Sequence, residues 1–169
     1  MMRWVIPFAA IALGSCASLA QEAPILPQAD FVLVDKSDRT LTLYTAGKPT
    51  WTVTGLQYGD APLGHKQFEG DERTPEGRYT IDWRNPNSSY HLSLHISYPN
   101  DADRAFAEAQ GRSPGGDIMI HGQPNGLPLA DAGVRMPGDW TDGCIAVSNA
   151  EIELLWQAIP DGTPIEIRA

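Results

Sequence analysis

The sequence predicts a mainly β fold, mostly strands with two or three short helices. Three observations carry this. Residues 31–56 alternate apolar and polar positions over three short runs, Phe31–Val34, Leu41–Tyr44 and "PTWTVTGL", separated by turn-like clusters. "YHLSLHISYP", residues 90–99, repeats the same period of two, and "TPIEIRA" closes the chain as one more alternating run.

The elements follow in order. "QEAPILPQAD", residues 21–30, is a Pro-containing lead-in, and the three runs after it form a β meander with turns at "DKSDR" and "TAGK". Residues 60–77, "DAPLGHKQFEGDERTPEG", are rich in Gly, Pro and charge and lack periodicity, so they form a loop. "RYTIDW" is a strand. In the strand at 90–99, Leu92, Leu94 and Ile96 share one face, with His91, Ser93, His95 and Ser97 on the other. "NDADRAFAEAQG" is a helix with Asn100 and Asp103 in capping-box spacing and a stop at Gly111. "GDIMIHG" is a short strand ending at His121. "SNAEIELLWQAIPDG" is a second helix, capped by Ser148 with Glu151, whose Leu154, Leu155 and Trp156 pack on the sheet.

The N-terminus speaks to compartment. "MMRWVIPFAAIALGSCASLA" carries one positive charge, Arg3, then an apolar run from Trp4 to Gly14 and small residues, the pattern of a secretory signal. The run is too short to span a bilayer comfortably. Two processing sites compete: "SLA" fits cleavage after Ala20, and "LGSC", Leu13 to Cys16, fits a lipoprotein box with Cys16 acylated. Residues 21–169 are then one domain, long enough for a real core. The chain has 12 Lys plus Arg against 21 Asp plus Glu, a net charge of −9, which disfavours a nucleic-acid binder. No second hydrophobic span follows, so no transmembrane segment is expected in the mature chain.

Of the two cysteines, Cys16 is lost to either processing route, which leaves Cys144 without an intrachain partner. An odd thiol in an exported chain points to a nucleophile or an intermolecular bridge; the plain alternative is a small buried hydrophobe beside Ile145 and Val147. Gly143 permits a tight backbone in which the amides of Gly143 and Cys144 aim at one spot, an oxyanion hole. Four histidines could supply a base. His121 emerges at a strand end; His65 lies in the loop, and His91 and His95 are within a strand. A metal reading is poor: His91 and His95 are roughly 13 Å apart along a strand, no HExxH occurs, and only a remote assembly such as His65, Asp71 and His121 remains.

"HG" at 121–122 followed by "TDGCI" at 141–145 resembles the YkuD domain of the L,D-transpeptidases, whose signature is HG, a long lid segment, then S-x-G-C-[IV]. "GHKQFEGDERTPEGRYTI", 64–81, resembles the pattern of the YafK-like murein transpeptidase branch. The match runs from about residue 30 to 168. The resemblance implies a YkuD-like β-sandwich or mixed sheet with the lid segment before the catalytic cysteine. Cys144 would be the nucleophile, and His121 the base that holds it as thiolate. The Gly122 carbonyl would orient the imidazole, and Gly143 and Cys144 would form the oxyanion hole. No cofactor or metal is implied.

This chain also departs from the family. Thr141 stands where Ser is common, keeping the hydroxyl. Asp142 replaces a frequent histidine and would raise the thiol pKa if it faced it, so it is expected to point elsewhere or to bind a substrate ammonium. Ala146 replaces a frequent arginine, for which Arg135 in the lid or Lys66 could substitute. Trp140 is a stacking wall or a core residue. The implied reaction is attack of Cys144 on the diaminopimelate carbonyl of a peptidoglycan stem peptide, then transfer of the acyl group to an amine, in the periplasm. The alternatives are an L,D-carboxypeptidase, a murein-lipoprotein amidase or hydrolase acting on an outer-membrane lipoprotein, and an inactive cell-wall-binding module.

Overall fold

The computed structural model describes residues 24–169; the export signal read at 1–20 and the acylation site at Cys16 lie outside the described residues. The meander forms as read, with β1 (Phe31–Asp35), β2 (Thr40–Thr45) and β3 (Lys48–Thr54) pairing antiparallel in sequence. Alternation becomes packing here. Val32 and Val34 of β1 face Leu43 and Leu41 of β2 across the ladder, and all four are fully buried. The closing strand β8 (Thr163–Arg168) runs parallel to β1 and sets Ile165 and Ile167 beside the same two valines. Rows of apolar side chains therefore cross the sheet, which is how a half-buried strand is stabilised.

β4 (Gly77–Ser88) follows the loop and is longer than "RYTIDW". Its extension past Trp83 is polar, "RNPNS"; it pairs with β5 (His91–Ile96), buries Ser88, and is tied by Arg84 to the carbonyls of Trp156 and Ile159 at 2.9 and 2.8 Å. β5 in turn pairs with β6 (Met119–His121), and β6 lies parallel to the two-residue β7 (Ile145–Ala146). Of the two forms that the family resemblance implies, the chain takes the mixed sheet: a single eight-stranded one, ordered β3-β2-β1-β8-β4-β5-β6-β7. Just past β3, Gln57 exchanges backbone hydrogen bonds with Ala146 of β7 at 2.9 and 3.0 Å, so the two ends of the sheet curl toward one another as a half-barrel.

Both predicted helices are present with the caps that were read for them. α1 (Asp101–Ala109) has the reciprocal Asn100–Asp103 box, and α2 (Asn149–Ala158) the Ser148–Glu151 box. Such boxes satisfy amides that have no partner inside the helix. α2 buries Ile152, Leu155 and Ala158, one helical face, and packs it on β5 and β6. Leu155 and Ile152 are wholly inaccessible, Leu154 is half-buried, and Trp156 packs at the rim of the core. A short 3-10 turn, Ala130–Ala132, is the third helical piece and interrupts the long connection from β6 to β7.

That connection positions the site. β6 and β7 are parallel neighbours with Ile120 opposite Ile145, so the residue before β7, Cys144, comes up beside Met119. Met119 and His121 are two residues apart on one strand, hence on the same face and about 7 Å apart.

Candidate active site

Cys144 is half-buried at a turn whose shape depends on its neighbour. Gly143 has φ 121°, and a Cβ there would lie 2.5 Å from the carbonyl oxygen of Arg73; no other residue fits without moving backbone. The buried Thr141 hydroxyl donates to the Cys144 carbonyl at 2.8 Å and accepts the Gly143 amide at 3.3 Å. It therefore ties the turn from within. The Cys144 sulfur accepts the Met119 amide at 3.3 Å, and its S–H is directed to the Asp117 carbonyl at 3.5 Å. The Cys144 amide has no acceptor among the described residues, whereas the Gly143 amide rests on Thr141.

His121 ends β6 and is 2% exposed. Its Nδ1–H donates to the Gly122 carbonyl at 2.7 Å, which leaves the lone pair on Nε2. Gly122 is confined as well: a Cβ would meet Asn149 Oδ1 at 2.8 Å and the Tyr90 carbonyl at 3.0 Å. Tyr90 stacks on the imidazole with centroids 4.6 Å apart, and Trp140 meets it edge-on at 5.5 Å.

Two cavities converge on this point and a third adjoins them. One of about 260 Å³ is walled by Tyr90, His121, Trp140, Asp142 and Cys144. A second of about 220 Å³ reaches the same His121 and Cys144 from the side of Ser93 and Met119. A third of about 430 Å³ adjoins the first, sharing Gly116, Asp117 and Asp142, and extends to Lys66 and Glu69.

Burial sets the charge states. It lowers the His121 pKa to about 4, offset only in part by the Gly122 carbonyl. Burial also pushes the Cys144 thiol up to about 11; the Met119 amide and Lys66 pull it down, and Asp142 and Asp117 push it further up. Burial thus works against the charged form of both groups, a direction opposed to the thiolate that the family resemblance implies, because each member loses hydration. An imidazole with a free Nε2 in the same cavity can still take the thiol proton as an electrophile is attacked.

The other residues singled out in the sequence divide. Trp140, Thr141 and Asp142 are all in the wall of the first cavity, and Asp142 faces the thiol closely enough to raise its pKa. Lys66 is 2% exposed, held by Asp71 at 2.9 Å and the Phe68 carbonyl at 3.1 Å, and borders the third cavity. Arg135 lines none of the three. Its guanidinium is engaged by Glu151 of the α2 cap and by the Gly55 carbonyl. His65 and Asp71 serve the 60–77 loop: His65 accepts the Glu76 amide and contacts Asp103, and Asp71 caps three backbone amides. Neither approaches His121, and among the described residues no three His, Cys, Asp or Glu side chains converge as metal ligands.

Sequence reasoning missed Tyr90, Asp117 and the glutamines Gln57 and Gln123. Gln123 is fully buried two residues past His121, donating to the Val147 carbonyl at 2.7 Å and accepting the Met136 amide at 2.7 Å. A polar residue directly beyond a strand-end His-Gly was the one available signal. Nothing local marks Tyr90.

Comparison with known proteins bears on the family and the fold. The family model described as the L,D-transpeptidase catalytic domain, YkuD, matches residues 29–167. YafK of Escherichia coli strain K12 is 29% identical over 136 residues, covering 76% of this chain and 46% of that protein. The crystal structure of the helical cell shape determining protein Pgp2 from Campylobacter jejuni superposes with a TM-score of 0.63 at 31% identity, over 82% of this chain and 46% of Pgp2. Bd1075 of Bdellovibrio bacteriovorus gives a TM-score of 0.55 at 26% identity, over 85% and 51% of the two chains. The chain spans about half the length of these relatives.

Proposed function

The chain belongs to the L,D-transpeptidase catalytic domain family, and from that premise we propose that it is a cysteine-dependent L,D-transpeptidase of the YafK-like branch, acting on peptidoglycan stem peptides in the periplasm. The observation that carries this reading is the Nδ1–H bond from His121 to the Gly122 carbonyl, which leaves the Nε2 lone pair free on a histidine that lines the same two cavities as Cys144.

In this mechanism the thiol proton passes to His121 Nε2 as the sulfur attacks the diaminopimelate carbonyl. The developing oxyanion is met by the Cys144 amide and by the Gly143 amide once it turns from Thr141. Collapse breaks the amide bond, and the imidazolium protonates the departing D-alanine amine, leaving a thioester and a neutral histidine. The acceptor ammonium sheds one proton to solvent; the amine then attacks the thioester as Nε2 takes a second proton, which it returns to the departing sulfur to restore the thiol. Asp142 and Asp117 edge both the first and the third cavity and give an approaching ammonium a favourable field, which supports an amine over water as acceptor. Trp140 walls the reacting centre. Lys66 acts through Asp71 on the loop that shapes the acceptor side.

The test is product analysis by mass after incubation with a disaccharide-tetrapeptide. The wild type should release D-alanine and form cross-linked dimer; Cys144→Ala and His121→Gln should form none. Dimer formed by Cys144→Ala would sink the thiol mechanism. Tripeptide alone from the wild type, even with excess acceptor, would make the protein an L,D-carboxypeptidase or hydrolase on the same site. Binding of sacculi with neither product would leave a wall-binding module.

A further inference from the structure

The geometry points to Tyr90 as a positioning residue for His121, one that restrains both the plane of the imidazole and the group that sets its tautomer. The inference rests on the reading of His121 as the base for Cys144.

Two independent contacts support it. The Tyr90 ring lies against one face of the imidazole, 4.6 Å between centroids and 29° between planes. Trp140 meets the same imidazole edge-on at 62° and the Tyr90 ring at 5.6 Å, so the histidine sits in an aromatic slot. The second contact is through the backbone. The Tyr90 carbonyl accepts the Gly122 amide at 3.0 Å, and the Gly122 carbonyl accepts His121 Nδ1–H at 2.7 Å. One restraint limits ring tilt and the other opposes a ring flip. Together they fix where Nε2 points.

The turn that presents Tyr90 is built to do so. The Tyr90 amide is capped by the Ser88 hydroxyl at 3.0 Å. His91, directly after it, has φ 66°, a conformation that side chains with a Cβ seldom adopt. Its amide is held by Asn125 Oδ1 at 2.9 Å, and Asn125 returns bonds to the carbonyls of Ser88 and Ser89 at 2.9 Å each. Asn125 lies three residues past Gly122, so one stretch of chain braces both the base and its clamp. Folding itself has little use for the ring: Tyr90 is 39% exposed and lines both cavities that reach the thiol. A partly exposed aromatic ring held by a left-handed neighbour against a buried histidine is better explained by the histidine than by the core.

The experiment compares Tyr90→Phe with Tyr90→Ala in the stem-peptide reaction and in ¹⁵N spectra of histidine-labelled protein, where His121→Gln identifies the His121 signals. The phenylalanine variant keeps the face and should hold kcat within about twofold of wild type. The alanine variant should lose roughly 10- to 100-fold in kcat, with KM moving less than about threefold. Its His121 signals should lose the ring-current shift that wild type and Tyr90→Phe display, and should broaden as the ring tilts, while the Nδ1–H tautomer, held through backbone carbonyls, is kept. Three results would overturn the inference: full kcat in Tyr90→Ala; equal damage in Tyr90→Phe, which would make the hydroxyl the active part; or a fall in kcat with the His121 spectrum unchanged, which would move the role to substrate contact. If the wild type lacks stem-peptide activity, the functional reading fails, and the spectra of the same variants still decide the role of Tyr90.

Discussion

Residues 60–76 and 123–140 are irregular segments of nearly equal length that flank the Cys144 turn, and they are held down by different chemistry. The first is anchored through charge. Lys36 reaches the Gly64 carbonyl, the Thr74 carbonyl and Glu76 at 2.7, 3.2 and 2.8 Å, and the buried Lys66 pairs with Asp71. The second is anchored at its centre by neutral amides. Gln57 Nε2 donates to the carbonyls of Met136 and Gly138 at 2.6 and 2.5 Å, while Gln123 binds Gln57, Val147 and Met136. Its charged links, Arg39–Asp139 and Arg135–Glu151, involve side chains nearer solvent. Buried amides do not titrate; buried ion pairs do. The buried anchors of the wall carrying Trp140 are thus insensitive to acid, although Asp139 beside it is held by Arg39, whereas the wall carrying Lys66 has a carboxylate as its buried anchor. The lid segment expected from the family resemblance is anchored at residues 123, 136 and 138.

The sharpest way to break this arrangement is at the point where the two segments meet, Gly143 against the Arg73 carbonyl. Gly143→Ala forces a side chain into a positive-φ position and into backbone 2.5 Å away. The cost should be roughly 4 kcal/mol by urea denaturation, with product formation lost. A variant of near wild-type stability would mean that the 60–76 segment yields freely, and the contrast between the two anchors would fall.

Next in size is a paired measurement. Asp71→Asn leaves Lys66 buried without its counter-charge and should destabilise by about 3 kcal/mol; Gln123→Leu strands the Val147 carbonyl and the Met136 amide and should cost about 2 kcal/mol. Their pH dependences should differ more than their magnitudes. Burial works to raise the pKa of Asp71, but the Gln67 amide, the Lys66 ammonium and the Phe68 and Arg73 amides outweigh it, so it lies below its ordinary 3.8. The Asp71 contribution is therefore whole above pH 3.8 and is lost as pH falls through the lowered value, so Asp71→Asn should flatten the stability curve there while Gln123→Leu shifts it evenly. Buried His121 acts earlier. With its pKa lowered from 6.5 to about 4, the unfolded chain binds more protons in that window, and about 3 kcal/mol of stability should disappear between pH 6.5 and 4. His121→Gln should remove that slope and leave the one below pH 3.8.

The same contrast explains what could be read from sequence. Both capping boxes were legible because their two members are three residues apart, and the β meander because alternation is local. The thiol and the strand-end histidine were legible from the odd cysteine and the HG and TDGCI motifs, and the glycines beside them because backbone geometry there admits no other residue. The anchors were not. Arg39 and Asp139 are 100 residues apart, and Gln57 and Gln123 are 66 apart; a polar side chain carries no sign of a distant partner. Arg135 is the instructive case, since an arginine near a candidate site looks like an anion binder until Glu151 is seen to hold it. Tyr90 escaped for a similar reason: its ring finds His121 only through the pairing of β5 with β6.

The smallest expected effect sharpens the comparison most finely, at Asp142, which edges the cavities on both sides of the contrast. Its carboxylate adds to burial in raising the thiol pKa and, in the proposed reaction, draws in the acceptor ammonium. Asp142→Asn should separate these two effects. The residue is exposed, so folding stability should change by less than about 0.5 kcal/mol. The pH midpoint for alkylation of Cys144 by iodoacetamide should move downward, because one of the negative charges opposing the thiolate is gone. Yet the ratio of cross-linked dimer to tripeptide should fall, because water needs no carboxylate to reach the thioester and an ammonium gains from one. A more reactive thiol with poorer transfer would assign Asp142 to the acceptor. Unchanged partition with the same downward shift would leave it only as a brake on the thiol, and would move the recruitment of the amine to Asp117 and Glu69 on the Lys66 side.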